Sequence, residues 1–139
     1  MKLGWSQLVV VIACLTLAAL HIVWPPNAVL TWDIFGYYLY LPAHFIYNDL
    51  YLLDQTWLDH IMQTYEPSPT LYQIYKMESG GWVIKYSLGM AVFYSPFFFI
   101  AHWLAPMLGF APDGFSLPYQ YMVAAGTLCY VFGGLILLR

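Results

Sequence analysis

Residues 8–23 read LVVVIACLTLAALHIV, an apolar run that decides the fold class of this chain. A helix from Leu3 to Trp24 would rise about 33 Å, enough to cross a hydrocarbon core of about 30 Å. The Pro25-Pro26 pair stops such a helix. A cleaved signal peptide is the alternative, but the run is long and no clean small-x-small cleavage site precedes the prolines. The pattern therefore favours an uncleaved transmembrane helix at residues 1–24.

Two further apolar runs, residues 87–108 and 118–139, are also long enough to form transmembrane helices. The 139-residue chain is 62% hydrophobic and only 8% charged, whereas an ordinary soluble domain is about 25% charged. A soluble chain of this length could not cover so much apolar surface. The composition therefore predicts a membrane protein with the lipid bilayer as a partner. The net charge of −3 excludes nucleic acid as a partner.

The second and third runs also carry signs of contacts with other helices. His102 is expected to hydrogen-bond a neighbouring helix rather than to transfer protons. The third run contains small residues that would let another helix approach closely. They are Ala124, Ala125, Gly126, Gly133 and Gly134. This pattern predicts helix partners, including further transmembrane helices that this chain does not contain.

The charge distribution predicts the orientation. Lys2 precedes the first helix, and residues 25–86 hold six of the seven acidic residues. The positive-inside rule then puts the N-terminus in the cytoplasm, residues 25–86 outside as a periplasmic or extracellular loop, and residues 109–117 in a cytoplasmic loop. Arg139 at the outer end of the third helix opposes this rule. We expect a multi-pass protein of a cell membrane, with the bacterial inner membrane as the favoured location.

The long outer loop is too patterned to be a linker. Polar side chains recur at steps of three or four over residues 34–48, and apolar ones do so over residues 49–65, which predicts two amphipathic helices lying on the membrane surface. Pro42 should break or kink the first of them. Residues 71–86 alternate around a Gly-rich turn and predict a short β-hairpin. The expected fold class is an all-α membrane protein: three transmembrane helices, with amphipathic surface helices and a short β-hairpin in the first outer loop.

Two ionisable residues bracket this loop. Asp33 follows the first span and Lys85 precedes the second, so both should lie at the outer membrane surface. Asp33 has an ordinary role open to it as a helix cap, and Lys85 could extend its side chain toward lipid headgroups. The functional alternative is a carboxylate and an ammonium facing one polar pocket, where Asp33 acts as a base or metal ligand and Lys85 neutralises a phosphate.

Two stretches support the functional alternative. Residues 31–43, TWDIFGYYLYLPA, and residues 85–89, KYSLG, followed by YSPFF at 94–98, resemble segments of GT-C fold glycosyltransferases. The resemblance is to the group of protein O-mannosyltransferases and aminoarabinose transferases, which use polyprenyl-phosphate sugar donors. It covers mainly residues 32–99.

The resemblance implies roles for Asp33 and Lys85. Asp33 matches the catalytic or metal-binding carboxylate, so a divalent metal ion is a possible cofactor. Lys85 matches a residue that contacts the donor phosphate. The polar face of the first surface helix would contribute substrate contacts through Tyr37, Tyr40 and His44. The chain would then be the N-terminal part of an enzyme that moves a sugar from a polyprenyl-phosphate donor to an acceptor hydroxyl, and inactive alone.

The chain also departs from this family. A second acidic residue often follows the Asp, but Ile34 stands here; Glu66 or Glu78 would replace it only if the loop folds back. Family members have about ten or more spans, and three are predicted here. The alternative interpretation is a non-catalytic multi-pass subunit or scaffold whose outer loop binds a partner.

Overall fold

The computed structural model describes residues 4–78 and 80–138 and is mostly helical. Within these residues the helices are α1 (Trp5–Val23), α2 (Trp32–Tyr38), α3 (Tyr40–Phe45), α4 (Gln55–Tyr65), α5 (Gly89–Met107) and α6 (Leu117–Leu137). The strands are β1 (Ile74–Lys76) and β2 (Trp82–Ile84), which pair in antiparallel register. The predicted fold class is confirmed: three long apolar helices, shorter helices between the first two, and a two-stranded hairpin.

Helices α1, α5 and α6 are each long and apolar enough to cross a membrane. Helices α5 and α6 begin and end within one or two residues of the predicted spans at residues 87–108 and 118–139. Helix α1, predicted within residues 1–24, begins at Trp5. Lys2 and Arg139, on which the orientation depends, lie outside the described residues, so the orientation stays a prediction. No residue of α1 is buried, so its apolar surface is available to lipid or to other helices.

Helices α5 and α6 pack against each other through side chains that the sequence singled out. The ring of Phe97 occupies the space where a Cβ atom on Gly126 would lie. His102 Nδ1 is 2.6 Å from the Tyr119 hydroxyl on α6, which confirms that this histidine bonds a neighbouring helix. A Cβ atom on Gly133 or Gly134 would meet open space, so that end of α6 leaves room for another helix.

The predicted surface helix at residues 34–48 is wrong in its extent, but the break predicted from Pro42 is confirmed. The structure has two short helices, α2 and α3, which meet at Leu39. Pro42 explains the break because it has no N–H to donate to the Tyr38 carbonyl, while the first turn of a new helix needs no such bond. Helix α3 already ends at Phe45.

The predicted helix at residues 49–65 begins later than expected, at Gln55. Asp54 caps it by accepting a hydrogen bond of 2.9 Å from the Thr56 N–H. The residues before it form a turn around Asp49, whose carboxylate accepts bonds from the Leu53 and Asp54 N–H groups at 2.8 and 2.9 Å. A side chain that bonds the backbone in this way competes with the helical ladder, which explains the late start.

The apolar face of α2 and α3, predicted to lie on the membrane, is only partly available to lipid. Phe35, Tyr38 and Leu41 are buried inside the protein, while Ile34 and Phe45 are exposed. The Tyr38 ring lies 6.0 Å from that of Phe98 on α5, and further aromatic rings close around it. These rings are those of Tyr94 and Phe115. Aromatic packing within the protein therefore covers the Tyr38 part of this face, and the membrane contact of its exposed residues stays a prediction.

The connection between α5 and α6 contacts the long segment that follows α1. The Tyr38 hydroxyl donates to the Gly114 carbonyl at 2.6 Å, and the Tyr65 hydroxyl donates to the Asp113 carboxylate. Farther along, the Leu30 N–H donates to Gln120 Oε1 at 2.8 Å. The sequence predicts that residues 109–117 and residues 25–86 lie on opposite sides of a membrane. The hydrogen bonds between these segments oppose that prediction, because hydrogen-bonded groups cannot be separated by a bilayer. The compartment that each faces stays a prediction.

Candidate functional site

The backbone around Asp33 is held in an unusual conformation by distant segments. Trp32 begins α2 with a φ of 53°, in the left-handed region that bulky side chains rarely adopt. Its N–H donates to the Pro67 carbonyl at 2.8 Å, and its carbonyl accepts from Gln73 Nε2 at 3.1 Å. Segments that are far apart in sequence thus fix where Asp33 emerges. Strained backbone of this kind is frequent at functional sites.

The Asp33 side chain bonds two tyrosines rather than capping its own helix. The Tyr72 hydroxyl donates to Oδ1 at 2.8 Å, and the Tyr86 hydroxyl donates to the same oxygen. These bonds, the Tyr86 bond foremost, lower the pKa of Asp33 below its ordinary value of 3.8, and the charge of Lys85 adds to the effect. Asp33 is therefore a carboxylate at neutral pH, exposed to solvent and fixed by two donors.

Lys85 contacts the same two tyrosines. Its ammonium is 4.8 Å from the centre of the Tyr72 ring and 5.5 Å from that of the Tyr86 ring. A cation over an aromatic face at this distance is attracted by the ring quadrupole. The backbone N–H of Lys85 donates to the Gln73 carbonyl at 3.0 Å, which extends the hairpin by one bond. Asp33 and Lys85, 52 residues apart in the numbering of the chain, thus share one tyrosine pair.

The position of Tyr86 depends on close approach to α2. A Cβ atom added to Gly36 would lie 2.5 Å from Tyr86 Cε2, so only glycine leaves room for this ring. The Tyr37 ring packs against it at 4.5 Å between centroids. The Tyr40 hydroxyl donates to the Tyr86 carbonyl at 2.6 Å. Of the predicted site residues, Tyr37 and Tyr40 therefore reach Asp33 through Tyr86 and not directly.

His44 lies apart from this cluster. It is exposed, and its ring meets the Phe45 ring edge-on at 4.7 Å. With Tyr40 it lines an apolar groove of about 420 Å³ between α3 and the first half of α5. The groove also contacts Leu41, Leu50, Leu88, Ala91, Val92, Ser95 and Phe99. The polar face predicted for residues 34–48 is thus split between the Asp33 cluster and this groove.

The sequence analysis missed Tyr72 and Tyr86 as partners of Asp33. The register of the hairpin could have indicated this pair of tyrosines. Ile74 pairs with Ile84, and Tyr72 and Tyr86 each lie two residues farther from the turn, so they are opposite each other in the same register. Side chains on directly opposed residues point to one face of a hairpin. A correct register would have brought the two tyrosines together, but it would not have shown that Asp33 meets them.

The carboxylates do not gather around Asp33. Glu66 ends α4 and lies near Trp32, because the chain folds back through the Trp32–Pro67 bond, whereas Glu78 is exposed in the hairpin turn. Within residues 4–78 and 80–138, no three His, Cys, Asp or Glu side chains form a metal-binding group. These residues do not fit a protein-built metal centre. The role of Asp33 as a metal ligand stays a prediction.

The pKa of Asp33 gives a direct test of this cluster. We expect its carboxyl to titrate below 3.8 in the folded protein, and Tyr86→Phe to raise the pKa by removing the main donor. Because the folded pKa is lowered, the stability from this group is present above the unfolded pKa and lost as pH falls through the folded value. Carboxyl carbon NMR of the protein in detergent micelles measures the pKa of Asp33 in the parent chain and in the Tyr86→Phe variant.

Asp54 provides the control for that titration. Its pKa is also lowered, by bonds from Thr56 on α4, so Tyr86→Phe should leave it unchanged. Equal titration of Asp33 in the Tyr86→Phe variant and the parent chain would show that the bond does not form.

No protein-family model, curated protein or solved structure matches this chain. The features that point to a function are the geometry of Asp33, Lys85 and their tyrosines, and the resemblance of the two short motifs that contain Asp33 and Lys85. What the structure establishes is a chain with three candidate membrane spans and one polar cluster beside them.

Proposed function

We propose that this chain carries the donor-binding part of a membrane glycosyltransferase, which moves a sugar from a polyprenyl-phosphate donor to an acceptor hydroxyl. One observation carries the proposal: the carboxylate of Asp33 and the ammonium of Lys85 meet at the Tyr72–Tyr86 pair. These two residues were assigned complementary roles by the GT-C resemblance. Their convergence supports the assignment, because residues so far apart in sequence have no local reason to meet.

In this proposal, Asp33 accepts the proton of the acceptor hydroxyl. Both tyrosines bond Oδ1, so we assign proton transfer to Oδ2. A carboxylate with a lowered pKa is a weak base, and it takes a proton only late, when the bond from the acceptor oxygen to the sugar carbon is largely formed. Direct attack by the hydroxyl, with the polyprenyl phosphate leaving from the opposite face, inverts the sugar carbon.

Lys85 acts on the leaving group. An ammonium near the phosphate stabilises the negative charge that grows as the bond to the sugar breaks. The rings of Tyr72 and Tyr86 restrain the lysine without neutralising it, since they offer faces and not a carboxylate. The exposed side of the Tyr37 ring is suited to contact the sugar.

Transfer activity provides the first test. Because the chain alone is expected to be inactive, membranes of cells that express the complete enzyme containing it are supplied with a polyprenyl-phosphate donor carrying a radiolabelled sugar, and the labelled acceptor is counted. Asp33→Asn should lower transfer about 100-fold or more, because it removes a general base while keeping the shape of the side chain. Asp59→Asn, on the exposed face of α4, is the matched control and should transfer normally. Normal transfer by Asp33→Asn would exclude the proposed role.

Binding of the donor phosphate provides the second test. Lys85→Ala should weaken the binding of polyprenyl phosphate to the purified chain in nanodiscs by about tenfold or more, the usual effect of losing a charge-assisted bond. Lys76→Ala removes the same charge from the other strand of the hairpin, beside Trp82, and should have little effect. If both variants bind equally, Lys85 has no specific role, and the non-catalytic membrane subunit becomes the better interpretation.

A further inference from the structure

A second groove, lined by Trp32 but not by Asp33, is unused by the proposed reaction. It has a volume of about 590 Å³ and lies between the start of α2 and the end of α4. Its walls are formed by Thr31, Trp32, Met62, Gln63, Glu66, Pro67, Ser68 and Pro69. This groove is lined by an amide, a carboxylate and hydroxyl groups as well as by apolar surface, whereas the groove beside His44 has neither an amide nor a carboxylate side chain in its lining.

Trp32 presents a large aromatic surface to this groove. The side chain is 58% exposed although its backbone is fixed. Other exposed tryptophans, such as Trp5 and Trp103, lie on the long apolar helices, which are candidate membrane spans where lipid is expected to cover them. Trp32 instead lies among polar residues, where lipid is not expected, so its exposure needs another explanation.

The groove is built before any ligand arrives. Both of its sides have a residue in the left-handed region, Trp32 with a φ of 53° and Glu66 with a φ of 45°. The Trp32 N–H bond to the Pro67 carbonyl ties the two sides together. Beneath them, buried Ser68 donates to the Thr70 carbonyl at 2.7 Å and accepts from Gln73 Nε2 at 3.0 Å. A preformed site loses less conformational entropy on binding than a flexible one.

We propose that this groove binds a saccharide. A sugar ring has one face of C–H groups, which packs against an indole, and a rim of hydroxyl groups, which bond amides and carboxylates. Trp32 offers the indole face, and Gln63 and Glu66, both exposed, offer the polar groups. An apolar chain would leave those polar groups without partners, and a metal ion would find Glu66 as its one carboxylate in the groove wall. The inference goes beyond the proposed transfer reaction and does not require it.

The test uses saturation-transfer NMR on the chain in nanodiscs, with methyl α-mannoside, methyl β-glucoside and methyl glucosaminide as probes. We expect saturation to reach the ring protons of at least one glycoside, and Trp32→Ala to reduce its affinity about tenfold or more. Trp103→Ala removes an equally exposed indole from α5 and should change nothing. A folded Trp32→Ala protein with unchanged affinity would overturn the proposal, as would the lack of saturation transfer to every glycoside at millimolar concentration.

Gln63→Ala decides the matter if Trp32→Ala fails to fold, because Gln63 is an exposed residue of α4 and its removal leaves the backbone bonds intact. The proposal predicts weaker binding, and unchanged binding would overturn it. Lys85→Ala separates this inference from the proposed function. It should leave the affinity for glycosides unchanged while it weakens the binding of polyprenyl phosphate. Glycoside binding without phosphate binding would support the groove and contradict the transferase.

Discussion

Replacing Tyr38 by alanine is expected to lower the free energy of unfolding by about 3–5 kcal/mol, the range found for large aromatic residues in protein cores. Tyr38 is completely buried, and its ring contacts α5 and the connection that follows it. Alanine would leave a cavity at the point where the long segment meets α5. A urea titration of the protein in detergent micelles, followed by near-UV circular dichroism, measures the change.

Two further variants show how much of the lost free energy of unfolding comes from the Tyr38 hydroxyl and how much from burial of its ring. Tyr38→Phe keeps the ring but removes the hydroxyl that donates to the Gly114 carbonyl at 2.6 Å, and should cost about 1–3 kcal/mol for the unpaired carbonyl. Tyr121→Ala removes a half-exposed ring from α6 and should cost much less. If Tyr38→Ala proves no more destabilising than Tyr121→Ala, the aromatic core described above does not form.

Replacing Gly114 by alanine is expected to destabilise the protein by about 2–4 kcal/mol, from backbone strain and overpacking together. Gly114 has a φ of 92°, which L-amino acids with a side chain rarely adopt. An added Cβ would also lie 2.8 Å from Pro42 Cβ, and the proline ring cannot turn away. The substitution therefore forces the α5–α6 connection away from α3, and thermal unfolding in micelles should show the loss.

Gly109 supplies a matched control in the same connection. Its φ of 78° imposes a similar backbone strain, but a Cβ there would meet nothing within 4 Å. Gly109→Ala should thus cost only about 1–2 kcal/mol, the strain alone. An equal effect of the two substitutions would mean that the contact with Pro42 is not made. The comparison also tests whether residues 109–117 touch the long segment, which a bilayer between them would prevent.

The elements with local causes were predictable. Apolar runs of about twenty residues predict long helices wherever they occur, and α1, α5 and α6 follow them closely. The hairpin follows from alternation around a turn. The ends of the short helices were not predictable from periodicity, because Pro42 and Asp54 act through single backbone bonds. The apolar face of α2 and α3 was assigned to the membrane, since periodicity shows that a face is buried but not what covers it.

The sequence by itself determined that this is a chain with three candidate spans. It also determined that Asp33 and Lys85 lie near the two ends of the segment between the first and second spans. Only the tertiary structure decided that Asp33 bonds Tyr72 and Tyr86, which lie 39 and 53 residues away, and that the Trp32 N–H bonds the Pro67 carbonyl. The tertiary structure also showed that Tyr65 bonds Asp113, although the sequence predicts these two residues on opposite sides of a membrane. The physical reason is the same in each case: hydropathy and periodicity report on neighbours within a few turns, whereas these contacts depend on how separate elements pack.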